Sequence, residues 1–206
     1  MNGYSERYDA ALALAASAHV GQTRKGSTVP YIVHPVHVSV ILIRYGFPED
    51  VAIAGLLHDV VEDQDYPLSD IEAQFGPVVA DMVAAATERK REAGQPRRWE
   101  DRKREALDHI RHASADAVAV KAADVLCNAR AMASALRQQG ASVWNHFSRG
   151  PEQSIWYYRS LSELARERMA GHPMLAELDE AVQDLERAID ETQPRSKEVG
   201  TWTSPG

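Results

Sequence analysis

The stretch that decides the fold of this chain reads Gly55-Leu56-Leu57-His58-Asp59-Val60-Val61-Glu62-Asp63. Within it, an apolar run is followed by one imidazole and three carboxylates. Residues four apart share one face of a helix, so His58 is predicted to lie over Glu62, and Asp59 over Asp63. Such groups repel and desolvate one another unless a cation joins them. The stretch therefore predicts a metal, with acid and base groups beside it, at the end of an apolar helical segment.

Helical patterns continue on both sides of this stretch, and strong helix formers are common in them. No segment shows the repeated alternation of apolar and polar residues that is typical of a sheet. Residues 88–98, with Gly94 and Pro96, are predicted to form a charged loop. We expect a single all-α domain over residues 1–193, followed by a disordered tail over 194–206. The predicted helices cover residues 5–19, 35–45, 49–61, 68–75, 77–87, 99–112, 115–137, 151–170 and 174–192.

The composition excludes several classes of protein. A formal net charge of -7 argues against a general affinity for the nucleic acid backbone. No apolar run approaches the length of a membrane span, and the first residues lack the basic-then-apolar pattern of a secretory signal. Cys127 is the only cysteine, which excludes an internal disulfide and a thiolate metal site. These features predict a cytoplasmic protein and leave its oligomeric state open.

Two residues outside the opening stretch are candidates to complete a metal site. His34 lies at the start of the second predicted helix, and Asp124 lies among Val, Ala and Leu in a long later helix. Together with His58 and Asp59 they offer two nitrogens and two carboxylates, which suit manganese or iron better than a structural zinc. Each residue also has an ordinary interpretation, because His34 can be a core histidine and Asp124 can pair with Lys121 or Arg130.

The order of these residues resembles the HD-domain superfamily of metal-dependent phosphohydrolases. More narrowly, the chain is similar to the (p)ppGpp hydrolase domain of the RelA/SpoT family, in segments that span about residues 8–135. The matching segments are Ala18-His19-Val20-Gly21-Gln22-Thr23-Arg24-Lys25-Gly26, Pro30-Tyr31-Ile32-Val33-His34-Pro35, Leu56-Leu57-His58-Asp59-Val60-Val61-Glu62-Asp63, Phe75-Gly76, and Ala122-Ala123-Asp124 with Asn128 and Arg130.

The resemblance implies an HD-domain helical bundle that removes the 3′-diphosphate from (p)ppGpp, giving GDP or GTP and pyrophosphate. It implies one divalent metal ion, usually Mn²⁺, and a small-molecule nucleotide as the partner. It also implies a role for each matching position. The metal ligands are His34, His58, Asp59 and Asp124; the residues that activate the attacking water are Glu62 and Asp63; the nucleotide contacts are Arg24, Lys25 and Asn128.

Some positions depart from the family pattern and leave the nucleotide open. Cys127 stands where many relatives carry a histidine or tyrosine, and the segment Arg24-Lys25-Gly26 differs from the more common Arg-Lys-Ser-Gly form. One alternative is an HD phosphohydrolase acting on a deoxynucleoside monophosphate or an NADPH-like nucleotide. Others are a non-catalytic nucleotide-binding module and a purely structural helical protein. The segment with Arg24 and Lys25 favours the alarmone.

Further features carry weaker predictions. Eight Arg and Lys residues between Arg89 and Arg104 alternate with acidic residues, which favours a solvated face over a rim that steers nucleotide. The cluster Trp156-Tyr157-Tyr158 is typical of core packing with one polar tip, although a substrate contact is also open. His19 is predicted either to touch the site or to pack at a helix end, and His37, one turn from His34, can contact the site although four ligands are already accounted for. The other histidines are predicted to lie on the surface or to pack; they are His109, His112, His146 and His172.

Overall fold

The computed structural model describes residues 5–92 and 94–192. The tail predicted for 194–206 lies outside the described residues. In chain order the structure has helices α1 (Glu6–Ala18), α2 (Val33–Arg44), α3 (Glu49–Leu57), α4 (Val60–Gln64), α5 (Leu68–Phe75), α6 (Pro77–Ala86), strands β1 (Arg91–Glu92) and β2 (Gln95–Pro96), and helices α7 (Trp99–His112), α8 (Ala115–Gln139), α9 (Pro151–Arg168) and α10 (Met174–Thr192), with a 3₁₀ helix over Gly140–His146 before α9.

The all-α prediction is confirmed, with one small exception in the charged loop. Within residues 88–98, β1 and β2 pair antiparallel as a two-residue ribbon closed around Gly94. Most other predicted bounds agree to within two residues. Helix α2 begins at Val33 rather than at residue 35, because Pro35 falls in the first turn, where a backbone N–H has no partner within the helix. His34 is therefore part of the helix and not of the loop before it.

The single helix predicted over 49–61 is wrong, since the chain breaks at His58 and Asp59 between α3 and α4. His58 Nδ1 donates to Gly55 O at 2.9 Å. In a continuous helix that carbonyl accepts from the backbone N–H of Asp59. The imidazole thus occupies a carbonyl oxygen that would otherwise accept a backbone hydrogen bond of the helix. Asp63 N still donates to Asp59 O at 2.9 Å, so these two residues remain one turn apart.

Helix α8 lies at the centre of the bundle and contacts α2, α3, α6, α9 and α10. It is buried without interruption over residues 117–127, as expected for a helix that is apolar on all sides. Two charged residues, Lys121 and Asp124, lie within that buried stretch. Because α8 is surrounded by helices, a group placed on it can meet groups from several other elements.

A glycine lies at the crossing of α2 and α3. A Cβ built on Gly55 lies 2.7 Å from Leu42 Cδ1 and 3.4 Å from the Cα of Ser39, so a larger residue must displace the Leu42 side chain. The close crossing brings His34, at the start of α2, towards His58, at the end of α3. Among the helices of residues 5–92 and 94–192, none combines the length and the hydropathy needed to cross a bilayer.

Candidate metal centre and substrate cavity

The four side chains predicted to hold a metal meet at one point in the structure. His34 Nε2 lies 3.2 Å from Asp124 Oδ1 and 3.6 Å from Asp59 Oδ2. His58 Nε2 lies 3.1 Å from Asp59 Oδ2 and 3.9 Å from Asp124 Oδ1. One ligand atom each from His34, His58 and Asp59 lies within 4.8 Å of the others. Residues from α2, the junction of α3 and α4, and α8 therefore converge on a single centre.

Hydrogen bonds to the outer nitrogens leave both imidazoles ready to coordinate a cation. His58 Nδ1 must carry the proton, because its partner, Gly55 O, can only accept. In the neutral ring the lone pair is then on His58 Nε2, which is buried without a hydrogen-bond partner within the described part of the chain. His34 Nδ1 lies 3.3 Å from Cys127 Sγ. A buried nitrogen lone pair beside two carboxylates fits a cation, and outer partners of this kind orient metal-bound histidines.

The two aspartates are ionised and held in place. Burial acts to raise the pKa of Asp124, but Lys121 and His34 hold that pKa well below its usual value. Lys121 Nζ lies 3.0 Å from Asp124 Oδ2, and Asn128 Nδ2 donates to Asp124 Oδ1 at 2.5 Å. Tyr31 donates its hydroxyl proton to Asp59 Oδ2 at 2.6 Å. Two anionic carboxylates with two imidazoles suit a divalent ion.

Glu62 and Asp63 lie on α4 and line the same cavity as His34, Asp59 and Asp124. Glu62 Oε2 accepts from the backbone N–H of Glu88 at 2.9 Å, and Asp63 Oδ2 accepts from Gln22 Nε2 at 3.1 Å. Burial, Asp59 and Glu88 raise the pKa of Glu62, against the effect of Lys121 and Lys90. The contact predicted between His58 and Glu62 is not observed, because α4 begins after the break and the partners of Glu62 are Glu88 and Lys90.

The three predicted nucleotide contacts also line this cavity, whose volume is about 670 Å³. Arg24 donates to Asn128 Oδ1 at 2.6 Å, and its guanidinium lies 5.5 Å from the centre of the Tyr31 ring. Lys25 Nζ lies 5.4 Å from the centre of the Phe147 ring. Burial lowers the pKa of Lys25, and the nearby charges of Lys90 and Lys103 lower it further. The three lysines line the same cavity. The cavity thus joins a floor made of the four converging side chains to a cation-rich wall.

The basic run over residues 89–104 divides into two groups. Arg97 pairs with Glu92 and Glu105, as predicted for a solvated face. Lys90, by contrast, contacts Asp63 and lies with its Nζ 3.1 Å from Glu62 Oε1. Lys103 contacts Glu88, and both lysines line the cavity. The solvated-face prediction is therefore wrong for Lys90 and Lys103, and also for Arg102, which lines the same cavity.

Several residues of the site were not singled out from the sequence. Tyr31 belongs to the segment Pro30-Tyr31-Ile32 that carried the family resemblance, so a signal was present for it. Lys121 was considered only as an ordinary partner of Asp124. Nothing in the sequence distinguishes Lys90 from the basic residues around it. Its position depends on the ribbon, and a two-residue strand leaves no pattern in a sequence.

The remaining histidines differ in burial and in the residues that they contact. His19 is buried, and its Nδ1 lies 2.8 Å from Gln22 Oε1. His37 lines the cavity without belonging to the four-residue centre. His146 packs against Gly26 of the loop that carries Arg24 and Lys25. Other histidines pack or lie exposed; His172 stacks on Phe47, and His109 and His112 are exposed.

Comparisons with known proteins identify the family to which the chain belongs. The family model described as HD domain matches residues 11–151. A Danio rerio protein, guanosine-3′,5′-bis(diphosphate) 3′-pyrophosphohydrolase MESH1, is 40% identical over 119 residues, covering 56% of this chain and 63% of that protein. Its Xenopus tropicalis counterpart is 41% identical over 130 residues, covering 59% of this chain and 70% of that protein. The chain thus spans slightly less than two thirds of the length of the Danio rerio relative.

A bacterial relative and a solved structure extend the comparison. The bifunctional (p)ppGpp synthase/hydrolase SpoT of Escherichia coli K12 is 44% identical over 78 residues, which are 38% of this chain and 11% of that protein. A solved structure of a metazoan ortholog of SpoT that hydrolyzes ppGpp superposes with a TM-score of 0.70 at 28% identity. It covers 92% of this chain and 99% of that one. The matched residues include all four converging side chains, and the chain belongs to the HD-domain family.

Proposed function

We propose that the protein is a metal-dependent hydrolase that removes the 3′-diphosphate from guanosine tetraphosphate or pentaphosphate. The observation that carries this proposal is the position of His58 Nε2, which has no hydrogen-bond partner among residues 5–92 and 94–192. It lies beside His34, Asp59 and Asp124 at the floor of a cavity that is lined by cations. The names of the relatives, which are 3′-pyrophosphohydrolases, support the choice of nucleotide. The position of Arg24 and Lys25 on the wall of the same cavity supports it as well.

The ligands of the metal ion in this proposal are His34, His58, Asp59 and Asp124. We propose Mn²⁺ as the ion, since two imidazoles and two carboxylates form a mixed set that suits it. A divalent ion in such a site lowers the pKa of water and offsets charge that develops on phosphoryl oxygens. Lys121 forms an ion pair with Oδ2 of Asp124. The other carboxylate oxygen, Oδ1, faces the two imidazoles.

Glu62 and Asp63 are proposed to take the proton from the attacking water. The water oxygen forms a bond to the phosphorus atom next to the ribose 3′ oxygen, and the bond between that phosphorus and the 3′ oxygen breaks. The 3′ oxygen gains a proton, pyrophosphate leaves, and GDP or GTP is the second product. A general base of this kind contributes about 10²–10⁴ to the rate. Burial favours this role for Glu62, because it raises the pKa of the carboxyl group above its usual value and makes the carboxylate a stronger base.

Substrate binding is assigned to the cation-rich wall of the cavity. Arg24 offers a planar guanidinium for a base or a phosphate, and Lys25 offers a point charge. Asn128, between Arg24 and Asp124, links the substrate wall to the metal centre through its amide. We propose that the protein acts in the cytoplasm on a free nucleotide, and that it binds neither nucleic acid nor membranes.

The test is release of pyrophosphate by purified protein loaded with Mn²⁺. ppGpp, pppGpp, a deoxynucleoside monophosphate and NADPH are offered in parallel, and the bound metal is measured in the same sample. We expect turnover of the guanosine alarmones and formation of GDP or GTP. Turnover of another nucleotide alone contradicts the proposed substrate. No turnover of any nucleotide, with one metal ion bound per chain, contradicts the proposed activity.

A further inference from the structure

Gln22 lies in the loop between α1 and α2 and has no role in the function proposed so far. Its backbone is held on both sides, because its N–H donates to His19 O at 3.1 Å and its carbonyl accepts from the N–H of Tyr31 at 2.9 Å. The side chain is half-buried and is one of those that line the cavity. The loop therefore presents the amide of Gln22 to the cavity from a fixed piece of backbone.

The amide of Gln22 contacts one of the two carboxylates proposed to take the proton. Its Nε2 donates to Asp63 Oδ2 at 3.1 Å. A carboxylate only accepts hydrogen bonds, so the nitrogen of the amide must face Asp63 and the oxygen must face the other way. That oxygen accepts from Gln64 Nε2 at 2.7 Å and lies 2.8 Å from His19 Nδ1. Since an amide oxygen cannot donate, His19 Nδ1 must carry a proton.

His19 is a fixed donor for this amide. It is the residue at which α1 ends, it is only 3% exposed, and the centre of its ring lies 4.8 Å from that of Tyr31. Within residues 5–92 and 94–192, its Nε2 is buried without a hydrogen-bond partner, so the bond from Nδ1 holds the polar edge of the ring. A chain of two hydrogen bonds thus joins a buried helix end to the Asp63 carboxylate through Gln22.

Asp63 has little else to hold its carboxylate in one orientation. It lies on α4, a helix of five residues, and Asp65 directly after that helix has left-handed backbone, with φ of 52°. A helix this short makes few backbone hydrogen bonds of its own, so its side chains depend on neighbouring elements. In the described part of the chain the carboxylate contacts Gln22 and Lys90, and the Lys90 side chain is 40% exposed. Gln22 is therefore the better fixed of the two partners.

We propose that Gln22 is a positioning residue, whose amide is oriented by the N–H of His19 and holds the Asp63 carboxylate towards the attacking water. The proposal rests on the phosphohydrolase function proposed above. In this role Gln22 acts through Asp63. Because a displaced base slows the reaction without weakening substrate binding, loss of the amide is expected to lower kcat and to leave KM unchanged.

The first test compares Gln22→Met with Gln74→Met as a matched control. Methionine keeps an unbranched chain of similar length and removes both hydrogen bonds of the amide. Gln74 is exposed on α5 and donates to the Tyr66 hydroxyl at 3.0 Å. Bound metal, KM for ppGpp and the single-turnover rate are measured for the Mn²⁺-loaded proteins. We expect Gln22→Met to lower the rate by about 10-fold at unchanged KM and metal content, and Gln74→Met to change none of the three.

The same substitution in an Asp63→Asn background separates positioning of the base from other effects. If Gln22 acts through Asp63, the second change lowers the remaining rate by less than about 2-fold. A loss of about 10-fold in both backgrounds overturns the proposal. So does a wild-type rate in Gln22→Met. A raised KM at unchanged rate, as for a displaced loop carrying Arg24 and Lys25, overturns it as well.

The part assigned to His19 is tested with two variants that both lose the ring. His19→Asn keeps an N–H near the position of Nδ1, whereas His19→Leu has similar branching and no donor. At equal metal content we expect the rate of His19→Asn to exceed that of His19→Leu by about 5-fold, as for one hydrogen bond. Equal rates overturn the orientation of the amide by His19. Nitrogen-15 chemical shifts of the wild-type ring are expected to place the proton on Nδ1, and a proton on Nε2 alone overturns it too.

The failure of this proposal can be told apart from failure of the proposed function. If the wild-type protein, with metal bound, does not hydrolyse ppGpp, the function fails, while the chemical shifts of His19 still test the chain of hydrogen bonds. If the wild-type protein hydrolyses ppGpp and Gln22→Met does so equally well, only the assignment of Gln22 fails.

Discussion

The metal centre and the wall that faces it are built from different kinds of elements. The two imidazoles and two aspartates come from α2, the α3–α4 junction and α8, where side chains are almost fully buried and the outer atoms have fixed partners. The facing wall comes from the loop that carries Arg24 and Lys25 and from α4, the ribbon loop and α7, and one of its residues, Lys90, has a side chain that is 40% exposed.

This difference fits the two tasks proposed for the site. Metal ligands must stay within a few tenths of an ångström of one geometry, which buried helices and outer hydrogen bonds achieve. A polyanion is attracted over longer distances, so flexible, half-exposed lysines are sufficient. We therefore expect changes in the centre to act through the metal, and changes in the wall to act on substrate and protons with the metal in place.

The largest effect is expected for Asp59→Ala. This change removes a ligand and the acceptor of the Tyr31 hydroxyl, so the metal content falls towards zero. Activity falls by about 10³-fold or more, because a bound cation supplies several kcal/mol of barrier lowering. Metal content is measured by elemental analysis and activity by pyrophosphate release. Asp81→Ala, on the exposed face of α6, is the control. Full metal content in Asp59→Ala contradicts the ligand assignment.

Glu62→Gln is expected to separate proton transfer from metal binding. Glutamine keeps an oxygen for the backbone N–H of Glu88 but is a poor base. We expect metal content to remain at the wild-type level while kcat falls by about 10²-fold or more. Stopped assays with matched metal loading measure this effect, and Glu72→Gln on α5 provides a neutral comparison. Wild-type kcat in Glu62→Gln shows that the base is another residue.

The affinity of the centre for metal is expected to depend on pH. Burial acts to lower the pKa of His58, but Asp59 and Asp124 together outweigh burial and raise that pKa to about 9. Below this pH a cation must displace a proton, so the apparent affinity for Mn²⁺ rises by about tenfold per pH unit between pH 6 and 8. Calorimetric titrations in buffers of different ionisation enthalpy also detect the released proton. An affinity that is constant over this range excludes proton displacement from His58.

The smallest effect is expected for Lys90→Met in the wall. Its charge lies beside Glu62 and Asp63, so its loss lowers kcat/KM by about 5-fold, of the order expected for one half-exposed charge. The wild-type protein loses more activity with added salt than the variant does, since salt screens the lost attraction. Arg91→Met is the matched control, because Arg91 is exposed and bonds Gly94 O within the ribbon. Equal effects of the two changes, or a loss of metal in Lys90→Met, contradict the division between centre and wall.

The chemistry of the centre could be predicted from the sequence because its residue types leave few alternatives. Two histidines and two aspartates in apolar helical segments are costly to bury without a cation, and this holds before any contact is known. The all-α class follows in the same way from local helical patterns, which depend on residues a few positions apart. His34 and Asp124 are 90 positions apart, yet each carries this local signal in its own segment.

Only the tertiary structure decided which neighbours these residues have. The sequence by itself determined that the chain is helical and predicted a set of residues that suits a divalent metal, since both follow from residue type and short-range spacing. The break at His58 arises from a side-chain bond to Gly55 O, which competes with the helix ladder and leaves no pattern in residue types. The positions of Lys90 and Tyr157 at the cavity depend on how the ribbon and α9 pack on the bundle. Such contacts join residues that are distant in the chain, so their energies are set by packing and not by local preference.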